Sequence, residues 1–118
     1  MHGHLSWMVE MNIKEGQFDA AQTLMEEMVE HTAKEQTTHT YDWYLSEDAG
    51  TAAIYERYDS SESAHAHLKG FLELFVDRFV AVFDATRFTV FGSPHDELKA
   101  DLEGWGPVYL GYWGGFRR

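Results

Sequence analysis

The chain has 118 residues, of which 44% are hydrophobic, so it is long enough and apolar enough for one domain with a buried core. Its 20 acidic and 9 basic residues give a formal net charge of −11, which argues against a nucleic-acid partner or an anionic membrane surface, since both bind clustered cations. The absence of cysteine excludes disulfides, thiolate metal sites and cysteine nucleophiles.

The first half of the chain predicts a strand, a helix and a β-hairpin. Residues 6–14 alternate between apolar and polar side chains, which is typical of a strand with one buried face. From Phe18, apolar residues recur at helical spacing for about five turns. Residues 38–45 and 51–58 are rich in β-branched and aromatic side chains, and they flank a turn at 46–50.

The second half repeats this order in part. Asp59 or Ser60 is expected to cap a helix whose apolar residues run from Ala64 to Phe83. Gly70 interrupts that run and predicts a kink, or a stop followed by a second short helix. A strand over 85–91 completes a βαββαβ order, so residues 5–92 are expected to form an α+β, ferredoxin-like split-βαβ domain with an antiparallel sheet.

Residues 93–118 form a C-terminal extension that is expected to fold as a helix and a short strand. Ser93 as the cap, Pro94 at the first helical position and Gly104 beyond the end predict a helix over 94–103. Its apolar row is expected to pack on the same subunit or on a partner. The strand over 108–113 is expected to join a sheet edge.

The predicted strands carry bulky residues on both faces, for example Tyr44 opposite Tyr41 and Trp43. Two helices cover only one face of a four-stranded sheet, and a large uncovered aromatic face is uncommon on a monomer. We therefore expect a homodimer in which the two sheets face each other.

Targeting signals are not apparent in the sequence. The first four residues have neither a basic segment nor an apolar segment, and the apolar stretch over 71–83 contains three charged residues and is too short to span a bilayer. The expected location is the cytoplasm.

Short motifs along residues 5–92 resemble the antibiotic-biosynthesis monooxygenase family of dimeric α+β barrels, which includes small quinol monooxygenases. Glu35 precedes the second strand, Glu56 and Tyr58 end the third, and Ala66-His67 lies in the following helix, as in the family's patterns. Gln36-Thr37 replace the proline and glycine of the family's turn. Tyr58 stands where haem-degrading relatives have tryptophan, which argues against haem degradation.

The resemblance implies oxygenation of a small aromatic quinol or phenol by O₂, without flavin, haem or metal. The substrate itself would donate electrons to O₂ once it is deprotonated, so the protein would need only to bind it, accept its proton and exclude water. Five histidines have no spacing to a carboxylate that we would assign to a metal site: His2, His4, His31, His39 and His95. Two alternatives stay open: a non-catalytic module that binds a hydrophobic ligand, and an isomerase or decarboxylase on the same fold.

His67 is the candidate base, with Glu56 and Tyr58 as its partners. Periodicity places His65 and His67 at opposite borders of the apolar helix face and does not choose between them; only the resemblance favours His67. A carboxylate in an apolar strand row needs a partner, and an ion pair of Glu56 with Arg87 is the structural alternative. The residues expected to bind the substrate are apolar or aromatic: Tyr41, Trp43, Ile54, Trp7 and Phe71.

Overall fold

The computed structural model describes residues 5–118, which form a five-stranded sheet with helices packed on one face. The elements in chain order are β1 Leu5–Ile13, α1 Phe18–Thr32, β2 Thr38–Leu45, β3 Thr51–Tyr58, α2 Ser61–Leu74, α3 Val76–Val82, β4 Phe83–Phe91, α4 Asp96–Leu102, a 3₁₀ turn Glu103–Trp105 and β5 Val108–Leu110.

The sheet has the strand order β2-β3-β1-β4-β5. β1 is central and pairs antiparallel with β3 and β4, β2 pairs antiparallel with β3, and β5 alone runs parallel to its neighbour. The predicted α+β, ferredoxin-like βαββαβ arrangement is therefore confirmed. Within the described residues, no helix combines the length and the apolar character needed to cross a membrane.

Alternation along the central strands separates the two faces of the sheet. In β3, Ile54, Glu56 and Tyr58 are buried beneath the helices, whereas Tyr55 and Arg57 lie on the other face. This period of two is what brings Glu56 and Tyr58 to the same side of the sheet as α2.

β4 contains a bulge opposite Glu10 and Met11 of β1. Thr86 is the extra residue, and its hydroxyl donates a hydrogen bond to the Glu10 carbonyl at 3.1 Å. A bulge shifts the alternation by one residue, so Ala85 before it and Phe88 after it both face the helices. The strand also begins at Phe83, two residues earlier than the sequence predicts.

The break in the second helical segment occurs at Phe75 and not at Gly70. Gly70 stays inside α2 because Leu68 and Phe71 on either side of it pack against the core, and a helical glycine costs only about 1 kcal/mol. At Phe75 the backbone leaves the helical region, with φ −128°, and α3 starts at the next residue. The predicted pair of helices is correct, but the predicted breakpoint is wrong.

The C-terminal extension differs from its prediction at both ends of the helix. The cap of α4 is His95, whose Nδ1 accepts a hydrogen bond from the Leu98 amide at 3.1 Å, and not Ser93. Gly104 lies within the 3₁₀ turn, and the left-handed residue that ends it is Gly106, with φ +67°. β5 extends the sheet edge within the same chain as a strand of three residues, shorter than predicted.

The extension shares a core with the rest of the chain. Leu98 and Leu102 of α4 are buried against Leu5, Trp7 and Val90 of the sheet. α4 therefore completes one end of the hydrophobic core.

Candidate active site

The polar centre of the site begins on β3. Glu56 and Tyr58 are two residues apart on the buried face, with only 4% and 0% of their surfaces exposed. The Tyr58 hydroxyl donates a short hydrogen bond to Oε1 of Glu56. A buried carboxylate requires such a partner, since it has lost its hydration.

His67 approaches this carboxylate from α2. Ser60 caps the helix by accepting a hydrogen bond from the Ser63 amide, and the buried face of the helix comprises Ala64, His67 and Leu68. The His67 Nε2 lies 3.2 Å from Oε1 of Glu56, so His67 is the charged partner of this buried carboxylate. Arg87 is elsewhere, with its Nε donating to the Thr89 hydroxyl, so the alternative ion pair of Glu56 with Arg87 is wrong.

Glu35 holds the other nitrogen of the same ring. Its Oε1 lies 2.9 Å from His67 Nδ1 and also accepts a hydrogen bond from the Thr38 hydroxyl at 2.7 Å. With 24% of its side chain exposed, Glu35 lies between the buried ring and solvent. The sequence contained the signal for this residue, a glutamate at a motif position before β2, but Glu35 was not among the candidate site residues.

The two carboxylates control the protonation of His67. Burial alone would lower the pKa of the imidazole, but its interactions with Glu35 and Glu56 outweigh burial and raise that pKa to about 9. Burial likewise opposes ionisation of Glu35, yet the bond to His67 and the bond from Thr38 lower the pKa of its carboxyl. At neutral pH the ring is therefore an imidazolium between two carboxylates.

Two tyrosines border this ion-paired group and remain neutral. The rings of Tyr41 and Tyr58 lie 5.5 Å and 5.4 Å from the His67 ring. Burial and the nearby Glu56 charge raise the pKa of each phenol well above 10. Both hydroxyls consequently keep their proton as hydrogen-bond donors.

An apolar cavity of about 70 Å³ adjoins Glu56 and His67. Both Glu56 contacts involve Oε1, and within the described residues no hydrogen bond reaches its Oε2. Aromatic and aliphatic side chains from the sheet, α1, α2, α3, α4 and the 3₁₀ turn form the rest of the wall. They are Trp7, Val9, Met28, Tyr41, Ile54, Leu68, Phe71, Phe79, Ala85, Phe88, Leu102 and Trp105.

Four of the five residues predicted to bind substrate line this cavity: Trp7, Tyr41, Ile54 and Phe71. Trp43 does not, because it lies further along β2, packs on Phe83 and borders a different depression near α1. Trp43 therefore lies apart from the cavity that Glu56 and His67 border.

Tyr58 and the two α2 histidines also differ in their relation to the cavity. Tyr58 donates its hydrogen bond to Glu56 but does not itself line the cavity. His65 points to α4, with its Nε2 2.5 Å from Asp101 and its Nδ1 3.3 Å from Glu97. The helix rotation that periodicity left open therefore turns His67 to the cavity.

The wall residues from the C-terminal extension were not foreseen. Leu98, Leu102 and Trp105 read as an apolar row, but nothing in the sequence relates that row to residues of β3 and α2. Within the described part of the chain, no group of three histidine or acidic side chains is arranged to hold a metal ion.

Comparison with known proteins gives one family match for the chain. The family model for antibiotic biosynthesis monooxygenase matches residues 5–71, a range that contains Glu35, Glu56, Tyr58 and His67. No curated protein sequence gives a significant match.

Solved structures with the same fold are distant in sequence. MupZ from Pseudomonas fluorescens superposes with a TM-score of 0.88 at 20% identity, covering 99% of this chain and 96% of that one. A putative antibiotic biosynthesis monooxygenase from Nitrosomonas europaea superposes with a TM-score of 0.69 at 16% identity, covering 81% of this chain and 95% of that one. At these identities the similarity supports the fold.

Proposed function

Because this chain belongs to the antibiotic biosynthesis monooxygenase family, we propose that it is a monooxygenase that oxidises a small aromatic quinol or phenol with O₂ and no bound cofactor. One oxygen atom enters a ring carbon and the other leaves as water, and the substrate supplies the electrons. The observation that carries the proposal is an oriented histidine, His67, at the wall of an apolar cavity. Such a site can bind an aromatic ring, take up its hydroxyl proton and exclude water.

His67 is the proton acceptor in this proposal. Nε2 is the nitrogen that acts, because Nδ1 is held by Glu35 away from the cavity and the substrate hydroxyl takes the place of Glu56 Oε1, which lies 3.2 Å from Nε2. A phenol has a pKa of about 10, so transfer of its proton to a base of pKa about 9 is uphill by only about 1.4 kcal/mol. Roughly 1% of His67 is neutral at pH 7, which limits the rate there. The rate should therefore rise about tenfold per pH unit from pH 7 and level off near pH 9.

The surrounding residues have separate roles. Glu35 is a positioning residue that holds the ring through Nδ1. Glu56, fixed by Tyr58, places a carboxylate oxygen next to the cavity, where it can accept a hydrogen bond from a second substrate hydroxyl. The Tyr41 hydroxyl, which stays protonated, is the donor available to a phenolate, and stabilisation of a developing anion in a dry site is a large contribution to catalysis.

The test is oxygen uptake by metal-stripped protein with a panel of quinols and anthrones, using ¹⁸O₂ to follow the transferred atom. His67→Ala should lower kcat/KM at pH 9 by about 10² to 10⁴. His65→Ala is the matched control and should retain wild-type activity, since His65 contacts α4 and not the cavity. Equal activity of wild type and His67→Ala on a substrate that turns over would remove His67 from the mechanism.

A second candidate, an isomerase, is favoured by one observation. An acid and a base, the His67 imidazolium and the Glu56 carboxylate, lie 3.2 Å apart beside the same cavity. That pair can move a proton between two atoms of a substrate without O₂. Turnover under strictly anaerobic conditions, with no change in substrate mass, would favour the isomerase over the monooxygenase.

We also propose that the protein is a homodimer in which the uncovered sheet faces meet. Tyr44 is 60% exposed on that face, and the Arg57 Nε is buried with no hydrogen-bond partner within the described residues. A second copy of the chain would cover Tyr44 and could supply a hydrogen-bond acceptor to the Arg57 Nε. Sedimentation velocity should give twice the mass of 13.6 kDa, and a monomer at micromolar concentration would refute the dimer.

A further inference from the structure

We propose that the C-terminal segment 96–106 determines which sizes of substrate the site accepts, with Trp105 as the specificity-determining residue. The inference rests on the proposed function in one respect only, because it takes the cavity beside His67 as the substrate site. The C-terminal extension thereby gains a role at the same cavity that Glu56 and His67 border.

Side chains of α2 and the 3₁₀ turn are aligned along the cavity. His67 and Phe71 are four residues apart on α2, so they lie on one face about 6 Å apart along the helix axis. The Trp105 ring lies 6.0 Å from the Phe71 ring, inclined at 63°. His67, Phe71 and Trp105 thus form a row from the ion-paired ring to the extension, and all three line the cavity.

The cavity is small for an aromatic ligand. Its 70 Å³ is about half of the ~150 Å³ known to hold one benzene molecule in an apolar protein cavity. The cavity is partly open to solvent, so a single ring can enter in part, but a fused ring system lies inside it only if part of the wall moves outward. The member of the wall that moves sets the largest ring system that can enter.

The two wall residues from the C-terminal extension differ in how firmly they are packed. Leu102 is 1% exposed and packs in the core with Leu98, so it cannot move without loss of packing. Trp105 is only partly buried and belongs to a 3₁₀ turn of three residues that ends at left-handed Gly106. Rotation of its indole opens the cavity without unfolding α4.

The substrate orientation follows from the row. The acidic hydroxyl lies at His67 and Glu56, and the ring system extends past Phe71 to the indole of Trp105. The ligand class is a planar aromatic with its ionisable hydroxyl at one end. The number of fused rings is then limited by Trp105.

The experiment measures binding of aryl methyl ethers, which have no acidic proton and report on the wall and not on the base. Dissociation constants of anisole, 1-methoxynaphthalene and 9-methoxyanthracene are determined by equilibrium dialysis for wild type, Trp105→Ala and Trp105→Phe. Trp113→Ala is the matched control, since Trp113 is fully exposed and does not line the cavity. Trp105→Leu repeats the test if Trp105→Ala does not fold.

Trp105→Ala should shift the affinity ratio of the three-ring to the one-ring ether at least about tenfold towards the larger ligand, equivalent to about 1.4 kcal/mol. Trp105→Phe and Trp113→Ala should keep a ratio close to the wild-type value, and Trp105→Leu should shift it in the same direction by less. An unchanged ratio in the folded Trp105→Ala or Trp105→Leu protein would overturn the inference. So would failure of all three ethers to bind.

Oxygen uptake separates this inference from the proposed function. A shifted ratio without oxygen uptake from any quinol supports the specificity wall and contradicts the monooxygenase. Oxygen uptake with an unchanged ratio supports the monooxygenase and contradicts the specificity wall.

Discussion

Replacing Glu35 by glutamine tests whether the carboxylate at Nδ1 controls the protonation of His67. The amide has the same shape and still offers an oxygen to Nδ1–H, but it has no charge. A hydrogen bond to a charged partner contributes about 1.5–3 kcal/mol, and one between neutral groups about 0.5–1.5 kcal/mol. The difference, about 1–1.5 kcal/mol, corresponds to a fall in the His67 pKa of about one pH unit, from about 9 to about 8.

The measurement is an NMR titration of the histidine side chains in ¹⁵N-labelled protein. The chain has seven histidines, so the His67 signals are assigned by their absence from a His67→Asn variant. Glu30→Gln on α1 is the matched control, because it removes the same charge from an exposed side chain that does not act on the His67 ring. Its His67 titration should coincide with that of the wild type.

The same substitution should move the pH–rate profile of the oxygenation. If neutral His67 is the base, the alkaline plateau of Glu35→Gln begins about one pH unit lower than in the wild type. A wild-type His67 midpoint near 6.5 would refute the assignment of an imidazolium between two carboxylates. An unchanged midpoint in Glu35→Gln would refute the role of Glu35.

Three further predictions concern stability. The raised pKa of His67, from 6.5 to about 9, contributes roughly 3 kcal/mol to the free energy of unfolding; this contribution is fully present below pH 6.5 and is lost as the pH rises through 9. The difference in urea stability between wild type and His67→Asn should therefore be smaller at pH 10 than at pH 6. An equal difference at the two pH values would contradict this prediction. Leu98→Ala should lower the free energy of unfolding by about 2–5 kcal/mol because Leu98 is 0% exposed, and an unchanged Tm would show that α4 does not belong to the core. Tyr58→Phe should cost about 1–3 kcal/mol in urea unfolding by removing the donor to buried Glu56, whereas a neutral effect would mean that the carboxylate is satisfied without it.

Local patterns in the sequence were sufficient for the order of the elements. Alternation in residues 6–14, the hairpin around 46–50 and the Ser60 cap each depend on residues close together in the chain, and each appears in the structure. The breakpoint at Phe75 and the cap at His95 were mispredicted because each depends on distant contacts. Gly70 is kept helical by the core, and the His95 amide is held by the Ser61 hydroxyl at 3.0 Å.

The candidate site divides in the same way. The sequence by itself determined that Glu56 and Tyr58 share one strand face, since that needs only a period of two, and a family pattern named His67. Only the tertiary structure decided that α2 turns His67 and not His65 to the cavity, that Glu35 binds the other nitrogen, and that Trp105 is part of the cavity wall. The contacts of Glu35 with His67, His65 with Asp101 and Phe71 with Trp105 join residues 32 to 36 positions apart. Their geometry is set by how helices pack on the sheet, which no local periodicity encodes.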